Sequence, residues 1–157
     1  MNKYRFRSIA DPRVYLDENN GRIVSNHRSI FARLAGGLND EGKKDEAIKV
    51  LNRCIELLPP STVPFNYLSL GLIENYYRAD SKDNAVKYSK MMLSDAEEQL
   101  NYILKLPKKE NKWLNGEIQI NMAIIQELYR QADRYEKGTH LKEIEDTFGK
   151  FVSLIER

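Results

Sequence analysis

The stretch from Arg28 to Pro60, RSIFARLAGGLNDEGKKDEAIKVLNRCIELLPP, decides how this chain folds. Apolar residues recur at intervals of three and four on both sides of a central polar segment, which is the spacing of two amphipathic helices. Small residues at Ala35 and Ala47 let the helices approach closely, and Pro59 ends the second helix. The stretch therefore predicts a helical hairpin, whose buried seam is expected to contain Leu34, Ala47 and Leu51.

The same positions resemble a tetratricopeptide repeat, whose signature W-x-x-L-G-x-x-Y, then A-x-x-x-F, then P, covers about 34 residues. The signature positions are filled here by Phe31, Leu34, Ala35, Leu38, Ala47, Leu51 and Pro59. A second repeat is indicated because three of these positions recur 38 residues later (72 − 34, for example), as Leu72, Tyr76 and Ala85. The resemblance implies hairpins stacked into a short solenoid.

Apolar periodicity along the rest of the chain predicts about six helices and no strand, so the expected fold class is all-α. Residues 1–17 form an N-terminal arm in this prediction, and residues 18–157 form one helical-repeat domain. The domain is expected to hold three antiparallel hairpins, over about 18–58, 63–104 and 113–156. The apolar residues expected to clamp the arm onto the domain are Tyr4, Phe6, Val14, Tyr15 and Leu16.

The first helix is expected to begin at Asp17, as N-cap, or at Glu18. Its predicted core row is a set of residues on one helical face, namely Ile23, His27, Ile30, Phe31, Leu34, Ala35 and Leu38. His27 on this row is expected to be a hydrogen-bonded core histidine rather than a ligand.

Composition excludes several classes of function. The 157 residues suit one domain, and a net charge of +2 is too small to indicate a nucleic-acid partner. Apolar runs are too short for membrane insertion by this segment. Cys54 is the only cysteine, so an intrachain disulfide is not possible, and we expect it to be buried and inert.

The sequence contains no glycine-rich phosphate loop, no serine-nucleophile motif and no paired metal motif. We therefore expect a protein that is not an enzyme and needs neither cofactor nor metal. His140 and Glu143 have a three-residue spacing that a metal pair uses, but we interpret them as surface residues. One basic cluster is interpreted as a solvated loop rather than a contact for an acidic partner or lipid headgroups: Lys105, Lys108, Lys109 and Lys112 with Trp113.

The candidate partner site is the inner face of the first helix of each hairpin, where an array of hairpins forms a concave groove. Tyr67, Glu74 and Tyr77 share one helical face, and their mixture of aromatic and charged groups suits a polar peptide. The alternative is that the two tyrosines pack on the neighbouring hairpin. The full candidate set is Arg33, Asn39, Tyr67, Glu74, Tyr77 and Arg78.

Four segments carry a further resemblance: YRFRSIADPRVYLDENN, RIVSNHRSIFARLA, KKDEAIKVLNRCIELLPP and VPFNYLSLGLIENYY. They resemble the soluble C-terminal region of a Bacteroidetes family of multi-spanning membrane proteins whose N-terminal half is similar to protein O-mannosyltransferases. The resemblance covers about Tyr4 to Ile155 and implies a periplasmic, extramembrane domain of a larger protein. The family's membrane half is absent from this sequence, so no catalytic residue carries over.

These observations predict a non-catalytic helical scaffold that docks a protein or peptide, including the rest of its own parent chain. The alternative is an accessory domain of a membrane glycosyltransferase-like enzyme, which contributes to a sugar or lipid-linked substrate site.

Overall fold

The computed structural model describes residues 6, 8–107 and 112–155. Over these residues the chain is all-α, 78% helical and without strands, so the predicted fold class is confirmed. The described residues form six helices: α1 (Glu18–Asp40), α2 (Lys44–Leu57), α3 (Leu70–Arg78), α4 (Lys82–Lys105), α5 (Asn115–Tyr135) and α6 (Thr139–Ile155). Their stacking into a solenoid stays a prediction.

Local chemistry explains where the first helices begin and end. The Asp17 carboxylate accepts the N–H of Asn20 at 2.8 Å, which caps α1 as predicted. Gly42 adopts φ +75° in the turn before α2, a conformation that glycine adopts without steric cost. The third helix starts later than expected because Asn66 and Ser69 form a capping box around a 3-10 turn, Tyr67–Ser69, and α3 follows it.

The chain divides into two compact units, Met1–Ser81 and Lys82–Arg157. In the first unit α1, α2 and α3 pack against one another, and α1 also contacts the 3-10 turn. In the second unit α4, α5 and α6 pack against one another. The predicted pairing of the third and fourth helices in one hairpin crosses this division and stays a prediction.

The face that α1 buries differs from the predicted row. Leu34 is 40% exposed, so its expected place in the buried seam was wrong, whereas Ala47 and Leu51 are fully buried as predicted. A Cβ added at Gly71 of α3 would lie 3.3 Å from the Ala32 Cβ, a separation that leaves no room for large side chains. The buried residues of α1 are accordingly small, apart from one cation: Val24, Ser25, Arg28, Ala32 and Ala35.

The second unit buries a conventional apolar interior. Leu100 of α4, Ile125 of α5 and Phe151 of α6 are each completely buried. A second 3-10 turn, Lys112–Leu114, precedes α5, and Trp113 within it is 87% exposed. Some of the sequence-based predictions concern residues outside the described part of the chain, namely Tyr4, Lys108, Lys109, the Lys112 side chain and Glu156.

Candidate functional site

The residues of the predicted groove lie in different environments in the structure. Tyr77 is 2% exposed and belongs to the core, so its expected role as a groove residue was wrong. The cause is that α3 buries two adjacent rows rather than one, since Tyr76 is fully buried as well. Tyr67 is 52% exposed in the 3-10 turn, and Glu74 is half-buried on α3. Tyr67 and Tyr77 therefore do not form a shared aromatic surface.

Two other predicted groove residues, Asn39 and Arg78, meet at Asn75 of α3. The Asn75 Oδ1 accepts from Asn39 Nδ2 at 3.1 Å and from Arg78 Nη1 at 3.3 Å. Arg78 also pairs with the Asp40 carboxylate. A Cβ at Gly36 would lie 3.4 Å from the same Oδ1, so the glycine leaves space for this amide. These polar groups are largely used in joining α1 to α3.

The opposite side of α1 presents an exposed apolar surface. Ile23 is 51% exposed, Ile30 is 60% exposed and Leu34 is 40% exposed. His27 lies between them, half-buried, and its Nδ1 is 2.8 Å from the Ile23 carbonyl oxygen, to which it donates. Ile23, His27, Ile30 and Leu34 are termed the α1 seam below. His27 is hydrogen-bonded as predicted, but it lies on this outer seam rather than in the core.

One exposed charge borders the α1 seam. Arg33 is exposed and adjoins Ile30 and Leu34 on the helix, and it makes no hydrogen bond or ion pair with any described residue. The other described arginines of the first unit all have partners: Arg13 with Asp11, Arg22 with Glu18, Arg53 with Glu56, Arg78 with Asp40, and Arg28 with backbone carbonyls. The α1 seam therefore has an unpaired positive charge at its edge.

The N-terminal arm reaches the same surface through Phe6. Its ring lies edge-on to the His27 ring, with centroids 5.4 Å apart and an interplanar angle of 90°. The Phe31 ring is 6.5 Å away, tilted by 48°. Part of the α1 seam is thus in contact with the chain's own arm, as predicted for Phe6.

Behind the α1 seam, the buried Arg28 side chain holds the helix in place. Its guanidinium donates to the carbonyls of four loop residues at 2.6–3.1 Å, and it stacks over the Phe65 ring at 4.9 Å. The four acceptors are Leu58, Pro59, Val63 and Pro64. No role was predicted for Arg28, although it lies on the same helical face as Ala32 and Ala35, and this position was the signal that could have revealed it.

In the second unit, His140 connects α6 to α4. Its Nε2 lies 2.7 Å from Ser89 Oγ, and its Nδ1 lies 3.2 Å from Glu143 Oε2. A carboxylate only accepts, so Nδ1 donates to Glu143, and in the neutral imidazole Nε2 then accepts from the Ser89 hydroxyl. His140 is 2% exposed, so its expected surface position was wrong. Its partner Ser89 lies 51 residues away in sequence, too far for a spacing motif to reveal.

The Ser89–His140–Glu143 arrangement has the connectivity of a serine–histidine–acid relay. Ser89, however, is 1% exposed and lies inside α4, where the neighbouring N–H groups bond within the helix. A substrate would have no access to the hydroxyl and no free pair of amides for an oxyanion. We therefore assign these three residues to packing of the second unit.

Over the described ranges, no group of three or more histidine, cysteine, aspartate or glutamate residues is arranged to hold a metal ion. None of the helices in the described part of the chain combines the length and apolarity needed to cross a bilayer.

The α1 seam, with Arg33 beside it, is thus an exposed apolar row on the first unit. Its residues were predicted from their spacing as a core row, so the sequence located them but assigned them to the wrong environment. Comparison with known proteins finds no matching family model, no matching curated protein and no matching solved structure.

Proposed function

We propose that this chain is a non-catalytic helical scaffold that docks an amphipathic helix of another protein on the α1 seam. The observation that carries the proposal is the exposure of Ile23, Ile30 and Leu34 on one side of a helix whose other side is buried. Contiguous apolar surface of this kind, bordered by polar residues, is typical of interaction sites.

The spacing of the α1 seam favours a helix as the ligand. Ile23, His27, Ile30 and Leu34 follow one another at intervals of four, three and four residues. This is the heptad spacing with which one helix packs its side chains between those of another. An extended peptide alternates its side chains with a period of two and does not match the row over its length.

The charge of Arg33 indicates which residues should flank the apolar side of the ligand. Arg33 lacks a partner among the described residues and lies where residues flanking a helical seam meet a partner's flanking residues. A glutamate or aspartate beside the ligand's apolar row would pair with it, whereas a lysine would be repelled. The proposed ligand is therefore an amphipathic helix with an acidic flank.

The support behind α1 suits this role. Arg28 attaches the helix to the loop after α2, and Asn75 attaches it to α3. A surface that is already ordered loses little conformational entropy on binding, which improves affinity. We further propose, from the sequence resemblance, that the scaffold is the extramembrane part of a larger membrane protein; the reading frame upstream of Met1 tests this.

The test uses two synthetic helical peptides with leucines at seam spacing, one flanked by glutamates and the other by lysines. Fluorescence anisotropy should show binding of the acidic peptide and binding of the basic one that is weaker by about three- to tenfold. Ile30→Glu should abolish binding, and Arg33→Glu should reverse the preference between the two peptides. The matched control is Met91→Glu, since Met91 is 37% exposed on α4 and lies outside the α1 seam.

Two results would overturn the proposal. One is failure of both peptides to bind, or binding that Ile30→Glu leaves unchanged. The other is a concentration-dependent dimer in analytical ultracentrifugation that Ile30→Glu dissociates, because the occupant of the α1 seam would then be a second copy of the chain.

A further inference from the structure

We propose that Phe6 regulates the α1 seam as a built-in competitor, which an incoming helix must displace. This inference rests on the proposed function, because it assigns a regulatory contact to the same surface. It adds a state in which Phe6 is displaced from His27, and it predicts that Phe6 lowers the affinity of the α1 seam for the helical ligand.

The contact overlaps the site itself. His27 is a residue of the α1 seam, between Ile23 and Ile30, and the Phe6 ring lies against it with centroids 5.4 Å apart. A helix packed along the seam would need the space over His27 that the Phe6 ring fills, because interdigitated helices lie only about 8–10 Å apart. Phe6 and the ligand therefore cannot occupy the surface together.

The path of the arm makes such a contact possible. The arm turns twice before α1, with Asp11 N–H donating to the Ser8 carbonyl at 3.2 Å and Val14 N–H donating to the Asp11 carbonyl at 3.0 Å. The contact at His27 lies nine residues into α1, roughly 14 Å from the start of the helix at 1.5 Å per residue. Phe6 thus lies alongside the helix that follows it in sequence, where its ring acts as an intramolecular ligand.

The contact is weak enough to be exchanged. Apart from area burial, aromatic pairs contribute little, and the described arm holds only one ring against His27 and Phe31. The apparent dissociation constant of a ligand rises in proportion as the open fraction of its site falls. Removal of the ring should therefore strengthen binding of the acidic helix by about two- to tenfold.

The experiment measures the acidic peptide against the full chain, Phe6→Ala and Tyr15→Ala. Tyr15 is on the same arm and 89% exposed, which makes it the matched control for loss of an aromatic ring. We expect tighter binding for Phe6→Ala only. A second readout is the ¹H NMR signal of the His27 imidazole, which is readily assigned because the chain has two histidines. Phe6→Ala should remove the ring-current shift at His27, and the peptide should do the same in the unmodified chain.

The outcomes separate the two proposals. Unchanged or weaker binding by Phe6→Ala, with Ile30→Glu still inactive, would overturn the competitor and leave the docking function intact. The same conclusion follows if the peptide binds while the Phe6 ring-current shift at His27 persists. If the peptide binds none of the variants, both proposals fail.

Discussion

The Arg28 guanidinium donates twice to the Leu58 carbonyl, through Nε at 3.1 Å and through Nη2 at 3.0 Å. This pair of bonds joins the middle of α1 to Leu58, the residue that directly follows α2. Burial lowers the pKa of Arg28 to about 10, so the group remains charged at neutral pH. Its positive charge is balanced within the described structure by carbonyl dipoles rather than by a carboxylate.

Arg28→Ala should destabilise the first unit strongly, because it leaves several buried carbonyls without a donor. A buried hydrogen-bonding group that loses its partner typically costs about 1–3 kcal/mol, and the carbonyls of Leu58, Pro59, Val63 and Pro64 lose their donor here. Arg28→Lys should also destabilise, since a lysine ammonium cannot reproduce the planar fork of donors. Urea unfolding followed by circular dichroism measures both changes. A loss below about 1 kcal/mol for Arg28→Ala would contradict the assigned role.

Leu34 and Leu51 were both predicted to lie in the buried interface of the first hairpin, and they should respond differently to truncation. Leu51 is completely buried, and Leu51→Ala should cost about 2–5 kcal/mol, as buried leucines do. Leu34 is 40% exposed, so Leu34→Ala should cost less than about 1.5 kcal/mol. The comparison uses the same urea assay, and equal losses would mean that α1 buries a different face.

The two tyrosines of the predicted groove form a similar pair. Tyr77 is 2% exposed, and Tyr77→Ala should reduce stability by about 3–5 kcal/mol, the range for large buried aromatics. Tyr67 is 52% exposed, and Tyr67→Ala should change stability by less than about 1 kcal/mol. Melting temperatures of the two variants measure the difference, which would vanish if Tyr77 were a surface residue.

Cys54 should react with a thiol reagent only after unfolding. It is fully buried, and desolvation raises the pKa of its thiol to about 12, so almost no thiolate is present at pH 8. Since the chain has one cysteine, absorbance after addition of Ellman's reagent reports this site alone. The rate should rise with urea in step with unfolding. Complete reaction of the folded protein within seconds would contradict this burial.

Acid should weaken the second unit through Glu143. The pKa of Glu143 is held below its ordinary value, first by the hydrogen bond from His140 and then by Lys90. A carboxyl with a lowered folded pKa stabilises the fold above its unfolded pKa, about 4.3, and this contribution is lost as the pH falls through the folded value. Glu143→Gln should reduce the loss of stability between pH 6 and pH 3. Glu145→Gln, at an exposed position on α6, is the control and should leave that loss unchanged.

Helix positions were predictable because periodicity, caps and breakers act locally. Asp17 marks the start of α1 through the hydrogen bond that its side chain accepts, and Pro59 ends the second helix because its ring cannot continue it. The third helix was placed too early because the Asn66–Ser69 capping box holds a 3-10 turn first. That preference depends on side-chain contacts that also involve Ser25 of α1, which bonds Asn66 at 2.9 Å.

Which face of α1 is buried was not predictable from apolar spacing. The most regular apolar row became the α1 seam, while the interior took Ser25, Arg28 and small residues. A buried arginine needs hydrogen-bond acceptors around it, and here they are loop carbonyls 30–36 residues away in sequence. The Ser89–His140 hydrogen bond was equally unpredictable from sequence, because it depends on how α4 packs against α6.

The Asn75 side chain restricts how α1 and α3 can pack against each other. Its Nδ2 donates to the Ala32 carbonyl of α1 at 3.0 Å and to the Gly71 carbonyl of α3 at 2.8 Å, while its Oδ1 accepts from Asn39. Apolar contacts are non-directional, so they do not by themselves fix how far one helix is displaced along another. The Asn75 amide does fix this displacement, because a shift of α3 would leave the amide buried without its hydrogen-bond partners. Asn75 therefore selects a single register between α1 and α3, and it makes misaligned pairings of the same two helices too costly to persist.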